Sequence, residues 1–255
     1  LQKRTLIKDC RVKHMETIFA CPISCRNCRM SSLCIPMSLR SDELYKLDQI
    51  ILRGKPLQVR QSIFRAGDPF TSIYAVRSGS VKAFRLDDDG REQVVAFYLP
   101  GEIFGWDGLA DNNYQNTAVA LETTSVCEIP FEQLDHLASS ITSNQNYTTK
   151  LMSREIINGQ RLIALLAGNS AHQRLASLLI SLSDRLALQK LSSTGFRLPM
   201  SRGDISNYLG LTVETVSRTF SYFQKMGYLR VNKKEVELLN LDALQEVIAD
   251  SDVFA

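Results

Sequence analysis

The sequence predicts an α+β protein: a cysteine-rich N-terminal segment, a β-roll, a long helix and a C-terminal winged helix-turn-helix. Three observations carry this. Short runs that alternate with period 2, broken by turn residues, fill residues 57–130. Apolar or small residues at alternating four- and three-residue spacing follow over 143–168. Two capped helical stretches separated by a single glycine come next, over 201–227. The expected divisions are 1–35, 36–142, 143–169 and 170–255.

Bulk composition fits this plan. A chain of 255 residues suits one or two compact domains, and 44% apolar with 22% charged residues is ordinary for a globular protein with a sizeable core. A net charge of +3 does not by itself announce a polyanionic partner. Lys3, Arg4, Lys8, Asp9, Arg11 and Lys13 stud the beginning of the chain, which has no apolar h-region. No run approaches the roughly 18 apolar residues of a spanning helix. The expectation is a cytoplasmic protein with no membrane partner.

Residues 1–35 are polar, basic and poor in core formers, so an inorganic centre is expected to order them. Beyond them, Leu57–Phe64, Ser72–Val76, Ser80–Arg85 and Gln93–Leu99 read as strands, and Asp89-Gly90 as a hairpin turn. Seven of the 13 glycines fall between Gly54 and Gly108, which suits a barrel or jelly roll.

Over 143–168, Met152, Ile156, Gly159, Ile163 and Leu166 form an a/d stripe, the expected seam of a homodimer. A second amphipathic helix over 170–190 aligns Leu175, Leu178, Leu179, Leu182 and Leu186.

In the C-terminal part, Ser201 is placed to cap a helix, with Asp204 at the capping-box position. That helix runs to Leu209. Gly210 supplies the turn and Thr212 caps the next helix. On the second helix Val213, Val216, Phe220 and Phe223 are expected to face a core. Glu214, Ser217, Arg218 and Ser221 face the other way at helical spacing. Arg can bind guanine O6 and N7, Glu can accept from cytosine N4, and Ser serves either role. Such side chains near a helix N-terminus suit base readout in double-stranded DNA. Leu229–Val231 and Glu235–Leu239 read as a wing, with Lys233 and Lys234 able to meet phosphate.

Four of the six cysteines, Cys21, Cys25, Cys28 and Cys34, lie within fourteen residues, and Cys127 is far away in the roll. In a cytosolic chain such clustering points to a metal or redox centre. Structural zinc usually takes two paired knuckles, and only Cys25-x2-Cys28 is such a pair, so the spacing is more like an iron–sulfur segment; zinc remains open. Cys127 on spacing alone also reads as a small buried apolar residue. Cys10 has no evident partner.

The chain resembles the fumarate and nitrate reduction regulator (FNR) family of the cyclic-AMP receptor protein superfamily. The segments that carry this are Cys25-Arg-Asn-Cys28 with Leu33-Cys-Ile-Pro36, Tyr74-Ala-Val-Arg-Ser-Gly79, residues 120–131 around Cys127, and Tyr208–Arg218. The resemblance implies a cyclic-nucleotide-binding-like β-roll as sensor domain. It implies one 4Fe–4S cluster per subunit on Cys25, Cys28, Cys34 and Cys127, with Cys21 matching a cysteine that relatives do not use. It further implies oxygen sensing that promotes dimerisation and a recognition face of Glu214, Ser217 and Arg218 on TTGAT-type palindromes. Activation or repression would follow through RNA polymerase contacts that include the hairpin near Asp87–Gly90. Aligned on Gly105, the nucleotide-binding Glu and Arg-Ser positions of the superfamily are Trp106, Asn116 and Thr117, which implies no cyclic-nucleotide binding. Relatives carry an acidic residue where this chain has Gly159.

Two other classes stand beside this reading. One is a metal-free thiol/disulfide regulator using Cys10, Cys21 and Cys25. The other is an enzyme, against which stand the scattered histidines His14, His136 and His172 and the lack of a nucleophile–base pattern.

Overall fold

The computed structural model describes residues 24–31, 33–35, 39–139 and 142–249; Cys10 and Cys21 lie outside them. A short 3-10 turn at Cys25–Asn27 precedes α1 (Ser41–Ile50) and β1 (Leu52–Arg53). Then come β2 (Ser62–Phe64), β3 (Ser72–Ser78), β4 (Val81–Leu86), β5 (Glu92–Tyr98), β6 (Ile103–Phe104), β7 (Thr117–Ala120) and β8 (Ser125–Pro130). They form two antiparallel four-stranded sheets, ordered β1-β8-β3-β6 and β2-β7-β4-β5. This is the expected roll. The predicted strand over 57–64 is broken, however. Leu57 makes only an isolated bridge to Thr124, Arg60 turns with φ 66°, and the strand is confined to Ser62–Phe64. The Asp89-Gly90 hairpin is present: the Asp87 carboxylate accepts from the Asp89 and Arg91 N–H groups, and Gly90 has φ 76°.

β3 does not show a one-sided alternation, because both of its faces are covered. Tyr74 and Val76 pack inside the roll with Phe64, Phe104 and Tyr114. Ile73 and Ala75 pack outside it with Leu47, Ile129, Leu134 and Cys25. The same parity governs β8, where Val126 faces inward and Cys127 and Ile129 face the cysteine segment. The outer layer comprises α1 and α2 (Phe131–Ser139), neither of which the sequence patterns announced.

α3 (Thr142–Gly168) is the long helix, and α4 (Ala171–Leu188) follows it. Ser170 caps α4, accepting from Gln173 N. Leu175, Leu178, Leu179 and Leu182 are buried, and Leu186 is half-buried. The C-terminal unit continues with β9 (Gly195–Arg197), α5 (Arg202–Tyr208), α6 (Val213–Lys225), β10 (Leu229–Asn232), β11 (Glu235–Leu238) and α7 (Leu241–Ala249). The predicted two-stranded wing gains a third strand, in the order β10-β11-β9. One apolar cluster joins Phe84, Val94, Phe97 and Leu99 of the roll to α4, α5 and α6, so the roll and the C-terminal unit share a core. Among the described residues no helix is long and apolar enough to cross a membrane.

Candidate metal centre and nucleic-acid interface

The cysteine segment is wound into consecutive tight turns. Cys28 N donates to Cys25 O at 3.4 Å, Ser31 N to Cys28 O at 3.1 Å, and Cys34 N to Met30 O at 3.0 Å. It lies directly on the roll at Gly101 (φ 88°), where an added Cβ would stand 2.9 Å from Leu33 Cβ. Winding and docking together bring Cys25, Cys28 and Cys34 to one cavity with Cys127. The remaining wall is mostly apolar, including Met30, Leu47, Ile51 and Ile129, with Arg77 also lining it.

Burial in the cavity favours the protonated thiol at Cys25, Cys34 and Cys127. Burial, with the Asp48 carboxylate adding to it, pushes Cys25 up to about 12. Burial likewise raises Cys34 and Cys127. A metal that binds here must therefore displace protons as it binds. Asp48 and Arg53 frame the site. Asp48 Oδ1 accepts from Cys25 N at 2.9 Å and from Arg53 Nη2 at 2.5 Å, and the same Nη2 donates to Cys25 Sγ at 3.3 Å. Nothing in the sequence marks these two residues. Arg53 is placed by β1 pairing with β8, which sets it opposite Cys127, and Asp48 reaches it from α1.

Among the described residues no three His, Cys, Asp or Glu side chains close around one ion-sized point. A single zinc on thiolates needs sulfurs about 4 Å apart. The four cysteines line one cavity, a thiol donor set of the kind that iron–sulfur centres and zinc both take.

The helix-turn-helix carries its predicted caps. Asp204 N donates to Ser201 Oγ at 3.0 Å, and Thr215 N to Thr212 Oγ1 at 3.0 Å. Gly210 makes the turn with φ 61°. On α6, Val216, Phe220 and Phe223 are buried as expected, but Val213 is 50% exposed. Leu211, in the turn before it, packs against the core instead. Glu214, Ser217 and Arg218 are all exposed. The Arg218 guanidinium pairs with the Glu214 carboxylate one turn away, and Ser217 Oγ donates to Val213 O at 2.8 Å. The wing differs from expectation in one respect: Lys234 Nζ donates to Pro199 O at 2.9 Å, which leaves Lys233 at the tip.

Along α3, Ile156 and Ile163 are 63% and 69% exposed, and a Cβ at Gly159 would meet nothing within 4 Å. Met152 and Leu166 are half-buried. Arg174, which sequence reasoning passed over, ties this helix to the helix-turn-helix. It donates to Leu166 O at 2.8 Å, to Asn169 O at 2.8 Å and to Leu209 O at 3.0 Å.

At the nucleotide-aligned positions, Asp107 Oδ2 accepts from Gln115 N (3.0 Å), Asn116 N (2.9 Å) and Asn116 Nδ2 (2.8 Å). Thr117 Oγ1 accepts from Ala66 N at 3.1 Å.

Residues 55–140 match the cyclic nucleotide-binding domain family and residues 173–247 the Crp-like helix-turn-helix domain family. The chain is 47% identical to the transcriptional activator protein FnrA of Stutzerimonas stutzeri over 216 residues, 85% of this chain and 88% of that one. It is 45% identical to the fumarate and nitrate reduction regulatory protein of Escherichia coli K12 over 227 residues, 89% of this chain and 91% of that one. Its fold is similar to that of FixK2 from Bradyrhizobium japonicum, with a TM-score of 0.72 and 29% identity, covering 78% of this chain and 98% of that one.

Proposed function

Because the chain belongs to the fumarate and nitrate reduction regulator family, whose members are DNA-binding transcription regulators and not enzymes, we propose that it is a cytoplasmic global regulator of the anaerobic response, gated by a 4Fe–4S cluster. The observation that carries this reading is the meeting of Cys25, Cys28 and Cys34 with Cys127 at one cavity. When bound, the cluster supplies an oxygen-labile link among four thiolates from two distant stretches of chain.

The chain's own residues do the rest. The cysteine segment and α2 pack as one outer layer on the roll, and Leu151 of α3 packs against the same cluster of apolar side chains. Order in the cysteine segment thus supports the start of α3, and the open Ile156, Gly159 and Ile163 stripe is the surface a second copy covers. Arg174 carries the position of α3 to the turn of the helix-turn-helix. A two-fold dimer then presents two α6 helices to a TTGAT-type palindrome, with Glu214, Ser217 and Arg218 at the base edges. The exposed β4–β5 hairpin, with Leu86 57% exposed beside its acidic tip, is the surface offered to RNA polymerase. No cyclic nucleotide is bound, since the positions that would pair its phosphate hold no cation and Asp107 already occupies the nearby N–H groups.

Two serine variants test the reading. Cys127→Ser is expected to lose anaerobic DNA binding, and Cys21→Ser to keep it. Unimpaired binding by Cys127→Ser would favour the metal-free thiol/disulfide regulator instead.

A further inference from the structure

We propose that Arg53, held by Asp48, is an outer-sphere positioning residue that joins Cys25 to Cys127 across the cavity and sets how firmly the centre keeps its iron. This inference rests on the reading of the four cysteines as ligands. Arg53 is the residue where two separate parts of the site meet. Its guanidinium donates to Cys25 Sγ at 3.3 Å, and its backbone stands opposite Cys127 in the β1–β8 pairing. The Asp48 carboxylate fixes it from the other side, accepting from Arg53 and from Cys25 N through one oxygen. The two side chains are about four-fifths covered, at 22% and 21% exposure, so solvent does little to screen them.

Four thiolates around iron and sulfide leave net negative charge in a mostly apolar cavity, and burying such charge without a counter-charge is costly. Arg53 supplies a cation within hydrogen-bond reach of one ligand, and its planar fork keeps a fixed direction that a lysine would lack. Donors to ligand sulfurs tune iron–sulfur centres, and partners of this kind typically change metal affinity 10- to 100-fold when removed. Asp48 has a second effect, since its bond to Cys25 N orients the first turn of the cysteine segment.

The test uses the full chain, loaded anaerobically with ferrous iron and sulfide and then challenged with a ferrous chelator. Arg53→Met is expected to lose iron roughly 10-fold faster than the parent chain, and to show a lower reduction potential because a nearby cation favours the more negative state. Arg53→Lys should fall between them, since it restores charge without the fork. Asp48→Asn should lose iron faster than the parent chain but less so than Arg53→Met, because it loosens the guanidinium, while loss of its negative charge should raise the potential instead of lowering it. Melting of the metal-free proteins controls for folding; a purely structural brace would shift melting and leave the potential unchanged. Parent chain that takes up no iron and sulfide would overturn both this inference and the reading beneath it. Parent chain that loads normally, with Arg53→Met matching it in iron loss and potential, would overturn this inference alone.

Discussion

Lys82 of the roll donates its ammonium to Asp204 Oδ1 of the helix-turn-helix at 2.8 Å. The same ammonium meets Glu92 at 2.7 Å, and Asp204 belongs to the capping box of α5. Around this pair, Asn207 accepts from Val94 N at 2.6 Å, Arg185 reaches Glu102 and Phe97 O at 2.6 Å, and the Phe97 and Tyr208 rings lie 5.0 Å apart. The DNA-reading unit is therefore fixed to the roll of its own chain by polar bonds as well as by the shared core.

Lys82→Met should destabilise the protein by about 2 kcal/mol, somewhat less than the loss of one partner from a fully buried pair. The pair also fixes a pH window. Burial alone would raise Asp204, but the Lys82 and Ser201 hydrogen bonds overcome it and hold the carboxyl below its ordinary 3.8. Its contribution is complete above pH 3.8 and is lost as pH falls through the depressed value. Lys82 is held above 10.5 by Asp204 and Glu92 despite its burial, so its share is complete below pH 10.5 and is lost as pH rises further. Chemical denaturation of parent and Lys82→Met across pH should give a difference that is flat between these limits and shrinks outside them.

Arg174→Ala removes the donors to Leu166 O, Asn169 O and Leu209 O. Each carbonyl left without a partner costs about 1–3 kcal/mol where water cannot replace the bond. The variant should still dimerise but bind operator DNA at least 10-fold more weakly. Sedimentation and fluorescence anisotropy on the same sample separate the two effects.

Gly159→Asp places like charges in facing copies of the α3 seam and should drive the chain to a monomer in sedimentation velocity. Gly159→Ala adds a Cβ where nothing stands within 4 Å, and should stay dimeric and gain about 1 kcal/mol of helix stability.

Arg218→Ala should cost about 1–3 kcal/mol on a TTGAT-type site and relax preference at a single base pair. It also frees Glu214 from its ion pair, which is exposed on both sides and contributes little to stability. Titration against sites altered one position at a time reads both effects.

What the sequence made legible was local. The caps at Ser201 and Thr212, the turn at Gly210, the Asp89-Gly90 hairpin and the stripe along α3 all depend on residues a few positions apart. What it hid depends on pairing between distant segments. Arg53 becomes part of the site only because β1 lies beside β8, and the face presented by Cys127 is fixed only once Val126 is inside the roll. Val213 fits the apolar period of α6 but is 50% exposed. Leu57–Phe64 has the composition of a strand, yet the turn at Arg60 divides it. The third wing strand, β9, is too short for periodicity to mark.

The most direct test of the central claim is the visible spectrum of anaerobically purified protein, with iron and sulfide counted before and after exposure to air. The four-cysteine reading predicts a brown protein with about four iron and four sulfide per chain, and loss of both colour and operator binding in air. A colourless protein carrying one zinc per chain, with operator binding unchanged by air, would contradict it.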